Sequence, residues 1–351
     1  MKNITFKTCE SVCEGHPDKI CDQISDAVLD FCLSKDSESR VAIECLIKDN
    51  HLIIAGEVTT TSSPDYAVIA QETLKKIGYS DKEIADFKIQ ILVGTQSPSI
   101  ACGVNIGGAG DQGMMYGYAT NETAEMIPLP LLLSHQLCQK LSALRKDNPK
   151  SQLKPDGKAQ VTIRYENNQP VALETVVVSI QHSSDINQAE IEEYVFNEVI
   201  KPVCGHWLRF GPIINPHLGL NNSTQTKIYI NPTGQFEIGG SYGDCGVTGR
   251  KIAVDTYGGI GRIGGGAFSG KDPSKVDRSA AYMARFLAKK LINLGYAEEV
   301  EVRLAYVIGV AGPVDVSVDI ISGDKLRQSE AVGYIFKNIY TTSEFIISKT
   351  A

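Results

Sequence analysis

Residues 18–35 read DKICDQISDAVLDFCLSK, and Ile20, Ile24, Val28 and Phe31 recur at helical spacing, which predicts one amphipathic helix. Two strand-like runs follow, RVAIECLI from Arg40 and HLIIAGEVTT from His51, with Asp49-Asn50 at the turn between them. PDYAVIAQETLKKIG then predicts a second helix that stops at Gly78. The same order returns further along the chain. Glu122 to Arg145 opens a second round, interrupted early by Pro128 and Pro130; QVTIRY and ALETVVVSIQH flank Asn167-Asn168, and AEIEEYVFNEVI closes it. A third round runs through SKVDRSAAYMARFLAKKLINLG, EVRLAYVIGV, VDVSVDII and SEAVGYIFKNIY. Helix, two strands, helix thus recurs about every hundred residues, too long a period for a solenoid. The expected fold class is α+β: three similar units, each a β-sheet with helices packed on one face. The expected boundaries give an N-terminal repeat at 1–104, a central repeat at 105–231 and a C-terminal repeat at 232–351.

Composition narrows the function. A chain of 351 residues supports two or three separate cores, and 42% apolar with 21% charged residues is ordinary for a globular protein. The net charge of -7 leaves no basic surplus to neutralise phosphates, so no nucleic-acid partner is expected. Nine dispersed cysteines form no C-x-x-C pair, which reads as reduced thiols in a cytoplasmic protein. The N-terminal residues lack the apolar core of a signal peptide, and no apolar run approaches the ~20 residues that cross a bilayer. No membrane partner is expected.

The residues richest in chemistry lie between the predicted elements. In GHPDK (residues 15–19), Pro17 suits the first position of a helix whose free N–H groups favour phosphate. Asp18 there suits either a cap or a metal. Asp22, Asp26 and Asp30 continue it at i, i+4 spacing and are expected on a solvated helix face. GGAGDQGMMYGYATNE (residues 107–122) reads as a glycine-rich loop around Asp111. Residues 243–282 set Arg250, Lys251, Lys271 and Lys275 against Asp244, Asp272 and Asp277 among many glycines. That mixture suits a polyphosphate and the magnesium that bridges its oxygens. Gly259 to Gly264 fits the dinucleotide fingerprint and Gly265 to Lys271 fits part of a P-loop, but each breaks at its decisive position.

Taken together, ESVCEGHPDKICDQISDAVLD, AGEVTTTS, GAGDQGMMYGYATNE, INPTG, GDCGVTGRK and GGGAFSGKDPSKVDRSAAY resemble the S-adenosylmethionine synthetase (methionine adenosyltransferase) family, in the family's order. The resemblance implies three interwoven domains with pseudo-threefold repetition. It implies synthesis of S-adenosylmethionine from ATP and L-methionine by in-line attack of sulfur on C5′, then hydrolysis of triphosphate to pyrophosphate and phosphate. Two magnesium ions and one potassium ion per site are implied as cofactors. A homodimer or dimer of dimers, with sites at the interface, is implied as the assembly. The catalytic set carried over is His16, Lys158, Arg250 and Lys271. ATP contacts add Asp111, Asp156, Phe236, Asp244, Lys251 and Ala267; methionine contacts are Glu57, Asp244, Lys275 and, where the family has glutamine, Cys102. Asp18 and Asp277 match the magnesium ligands and Glu44 the potassium-linked glutamate.

The sequence departs from the family in places. The segment before Asp111, the family's mobile lid, is short, with Cys102 and Ser99 replacing glutamine and aspartate. Ile263 stands where histidine is common and Gln235 where many members have arginine. The family's closing aromatic-rich segment has no counterpart before Ala351. Two other readings stay open: a catalytically weak member serving as a partner or regulatory subunit, and a nicotinamide-dependent oxidoreductase using Gly259 to Gly264.

Overall fold

The computed structural model describes residues 3–95, 108–148, 151–209, 211–216, 225–338 and 342. Three units with the order helix, hairpin, helix carry the architecture. The first contains helix Pro17–Lys35, strands β2 (Arg40–Lys48) and β3 (His51–Thr59), and helix Tyr66–Ile77. In the second, helix Leu129–Asp147 precedes β6 (Leu153–Glu166) and β7 (Gln169–His182), and helix Gln188–Val195 follows. Helix Val276–Asn293, β11 (Glu299–Tyr306), β12 (Asp315–Ser322) and helix Gln328–Asn338 make the third. The β6–β7 hairpin turns at Asn167 and Asn168, whose φ values of 52° and 65° match the left-handed pair that a two-residue hairpin requires.

Each unit buries its own core between helices and sheet. Ile20, Ile24 and Val28 pack on Val41, Ile43 and Ile54; Leu133, Leu137 and Leu141 on Val161 and Val176; Ala284, Leu287 and Leu291 on Val300 and Val318. Burying such a side chain contributes about 1.5–3 kcal/mol, so the helical and strand periods read from the sequence are what hold each unit together.

The units are sewn together by strands that leave home. β1 (Ile4–Val12) precedes the first unit yet pairs with β6, placing Cys9 opposite Val161 in the central sheet. β5 (Gly113–Thr120) precedes the second unit yet pairs with β11 in the third. β10 (Gly246–Val247) precedes the third yet pairs with β2 in the first, Val247 opposite Leu46. β4 (Lys88–Gly94) joins β3 in parallel; β8 (Ile213–Ile214) and β9 (Lys227–Ile230) extend the central sheet. Borrowed strands satisfy sheet edges that would otherwise stay open.

One expectation needs correction. Residues 113–120 do not form a glycine-rich loop but a strand, because Gly117 lets the helix Val276–Asn293 lie directly on its backbone. A Cβ there would sit 1.9 Å from the Ala284 carbonyl carbon. Among the described residues no helix is long and apolar enough to cross a membrane.

Candidate active site

The helix Pro17–Lys35 begins with His16 as its cap, its side chain accepting the Asp18 N–H at 3.2 Å through Nδ1. Burial, reinforced by the nearby Lys251 ammonium, lowers the His16 pKa from 6.5 to about 4, so the imidazole is neutral at physiological pH. Because Nδ1 accepts, the neutral ring carries its proton on Nε2. Asp18 is 5% exposed, and its carboxylate takes the Val247 N–H at 2.9 Å and the Lys251 ammonium. Burial would raise the pKa of Asp18; the Lys251 ammonium and the Val247 N–H overcome it and hold the pKa below the usual range.

The acidic stripe that follows is not the uniformly solvated face expected. Asp22 is 3% exposed and accepts the Gly249 N–H at 2.8 Å and Lys19 Nζ at 3.1 Å. Asp26 accepts the Gly270 N–H at 2.9 Å and Arg278 Nη1 at 2.8 Å, and Asp30 alone stays exposed. Like charges at i, i+4 repel mildly, but backbone donors and cations arriving from the C-terminal unit outweigh that repulsion. The approach is close: a Cβ on Gly246 would lie 2.1 Å from the Pro17 oxygen.

A second group forms around Lys271, whose ammonium meets Asp277 at 2.6 Å. Gly266 backs onto the same carboxylate, and Ala267 sits against Gly249, bringing the two glycine-rich turns together. Lys271 bridges Ala42 of β2, and Ala42 pairs with Glu57 of β3, so Glu57, Ala42 and Lys271 form one cross-strand row. Glu44, two residues along β2, lies on the same exposed face. Lys275 turns to Asp272, a fully buried carboxylate that also accepts the Val41 N–H at 2.7 Å.

The central unit adds Asp156, which is buried and accepts the Gly240 N–H at 2.8 Å; burial pushes its pKa up to about 6. Lys158 pairs with Glu10 at 3.1 Å, and both Lys158 and Asp244 are near enough to bias the His16 charge. The Phe236 N–H donates to His182 Nε2 at 3.0 Å. The structure therefore gathers His16, Asp18 and Lys251, with Asp244 and Lys158 facing them, and separately Lys271, Asp277 and Ala267 beside Glu57. Arg250 is exposed next to Lys251; Asp111 is exposed and accepts its neighbour Gln112 N–H at 2.7 Å. Cys102 and Ser99 lie outside the described residues. No helix opens directly after Gly264, where a dinucleotide fold requires one; the next begins at Val276. The sequence reading placed Asp22 on a solvated face and gave no sign of the Lys19–Asp255 pair that adjoins it at 2.5 Å.

Comparison with known proteins covers nearly the whole chain. Family models described as S-adenosylmethionine synthetase match at 4–98 (N-terminal domain), 106–236 (central domain) and 238–351 (C-terminal domain). An S-adenosylmethionine synthase of Prochlorococcus marinus (strain MIT 9211) is 45% identical over 355 residues, covering 94% of this chain and 84% of the relative. One of Desulfosudis oleivorans is 46% identical over 335 residues, covering 92% and 83%.

Proposed function

The chain belongs to the S-adenosylmethionine synthetase family and makes S-adenosylmethionine from ATP and methionine; from that premise we propose how its residues divide the work. The methionine sulfur is a neutral nucleophile, so its attack on C5′ needs no general base. The barrier lies in alignment and in the charge that grows on the departing triphosphate.

The observation that carries the assignment is the placement of His16 as the helix cap, its Nδ1 accepting the Asp18 N–H at 3.2 Å. Its Nε2–H, fixed by the Asp18 N–H on Nδ1, is a hydrogen-bond donor for the leaving 5′ oxygen rather than a titrating acid. Arg250, Lys251, Lys158 and Lys271 supply positive charge along the triphosphate. Asp156, Phe236, Asp244, Ala267 and Asp111 frame the nucleotide. Glu57 takes the methionine ammonium, with Asp244, Lys275 and Cys102 as further methionine contacts. The four cations Arg250, Lys251, Lys158 and Lys271 then serve hydrolysis of the bound triphosphate to pyrophosphate and phosphate.

The donor set suits magnesium. Among the described residues no cluster of three or more His, Cys, Asp or Glu makes a closed metal cage. Asp18 and Asp277 instead stand singly beside lysines, and magnesium accepts one or two carboxylates when phosphate oxygens and water complete its shell. Asp18 and Asp277 would each hold one magnesium ion, and Glu44 would face potassium. Bound there, the ions neutralise charge on the leaving triphosphate.

The face that presents Glu44 and Glu57 also leaves Leu46 38% and Leu92 55% exposed. That apolar surface supports a homodimer, or a dimer of dimers, with each site completed by a second copy. The test of the activity is incubation of purified protein with ATP, methionine, Mg2+ and K+, with the product identified by mass spectrometry. Absence of S-adenosylmethionine would reject the assignment.

A further inference from the structure

Arg250 and Lys251 sit in a short excursion between Asp244 and Asp255, and one side of the helix Pro17–Lys35 grips it along its length. Asp18 holds Val247 and Lys251; the Ser25 and Thr248 hydroxyls meet at 2.8 Å; Asp22 holds the Gly249 N–H at 2.8 Å. Lys19 Nζ lies 3.1 Å from Asp22 Oδ2 and 2.5 Å from Asp255 Oδ1, so a single ammonium joins the anchor before Arg250 to the anchor after Lys251. We propose that Lys19, Asp22 and Asp255 are positioning residues, whose bridge fixes both ends of the Arg250–Lys251 segment and so sets where these two cations meet the triphosphate.

This rests on the reading of Arg250 and Lys251 as triphosphate contacts. The three bridging residues themselves stand behind that surface. Lys19 and Asp255 line two adjoining cavities of about 450 and 410 Å³ beside His135, and neither cavity is walled by His16, Asp18, Arg250 or Lys251. The Lys19 ammonium is already engaged by two carboxylates, and Asp22 is buried. Gly246 and Gly249 give the segment wide backbone freedom when untethered. A displacement of about 1 Å in a charge-stabilising group can lower a rate by roughly a hundredfold, so anchoring has kinetic weight.

The test compares Asp255→Asn, Lys19→Met, the double variant and Lys19→Arg in the full-length enzyme. Wild-type protein is the control for the reading beneath: if it makes no S-adenosylmethionine, that reading fails whatever the variants do. With an active wild type, Asp255→Asn and Lys19→Met should each lower kcat about fivefold or more and leave methionine KM within about twofold; Tm should stay close to wild type in Asp255→Asn and fall somewhat in Lys19→Met, which leaves two carboxylates without their shared cation. The double variant should be no slower than the slower single variant, because both break one bridge. Lys19→Arg, which can still join two carboxylates, should recover most of the rate. A kcat loss below fivefold in both single variants overturns the proposal. So does a loss that tracks falling Tm without recovery by Lys19→Arg, or multiplication of the two losses in the double variant.

Discussion

Asp22 and Gly249 stand 227 positions apart, yet Asp22 Oδ1 accepts the Gly249 N–H at 2.8 Å. The contact joins the first helix of the N-terminal unit to the segment that carries Arg250 and Lys251. Together with Asp18 on Val247 and Asp26 on Gly270, it makes an acidic stripe into a row of backbone acceptors for the C-terminal unit. Asp18 and Asp22, the two buried carboxylates of this row, are costly to truncate, since their donors would be left unpaired.

Replacing Asp18 or Asp277 with Asn keeps the shape and one acceptor oxygen but removes the charge that faces Lys251 or Lys271 and would hold magnesium. Turnover should fall by about a hundredfold or more in either variant, far beyond any loss of denaturant midpoint from the broken ion pairs. Steady-state rates across a magnesium titration check this. Near-normal turnover in both variants would remove these aspartates from the reaction.

His16→Asn should damage S-adenosylmethionine formation far more than hydrolysis of added triphosphate, because the proposed donor acts on the 5′ oxygen alone. Equal losses in the two assays would show that His16 only shapes the pocket. A stability signature accompanies it. The folded pKa of about 4 lies below the free value of 6.5, so the unfolded chain binds the extra proton between them. His16's contribution is complete above pH 6.5 and is lost as the pH falls towards 4. Thermal scans at pH 7 and pH 4.5 should show wild type losing more stability than His16→Asn.

Asp156 slopes the other way. Its folded pKa of about 6 is above the free value of 3.8, so its contribution is present at low pH and lost as the pH rises through 6. Asp156→Asn can still accept the Gly240 N–H, and at pH 7.5 it should be more stable than wild type by about 1–3 kcal/mol. That difference should close towards pH 4. ATP binding should weaken in the same variant, which calorimetry would detect; a variant no more stable than wild type at pH 7.5 contradicts the buried-charge account.

Gly117→Ala should be among the most damaging small substitutions in the C-terminal unit. The new Cβ would meet the backbone carbonyl of Ala284 at about 2 Å, and neither strand nor helix can yield without repacking the core. A loss of about 3 kcal/mol or more, or insoluble protein, is expected. Gly333→Ala is the matched control: it lies within helix Gln328–Asn338, nothing stands within 4 Å of its Cβ position, and it should stabilise by about 0.5–1 kcal/mol. Equal effects from the two substitutions would refute the packing argument.

Much of this protein was legible before folding. Ile20, Ile24 and Val28, the alternating residues of RVAIECLI, and the Asn167-Asn168 turn each express a period or a φ preference that belongs to a few neighbouring residues. The three-unit plan follows from them, and the strings around His16, Asp18, Lys251, Lys271 and Asp277 named the chemistry. Tertiary structure alone decided which sheet receives β1, β5 and β10, since a strand's edge partner need not be near it in sequence. It also decided the state of Asp22 and Asp26, which local spacing placed in water. A hydrophobic period is a local property of the chain, whereas a carboxylate's environment depends on which donors fold against it, and those come from more than 220 residues away.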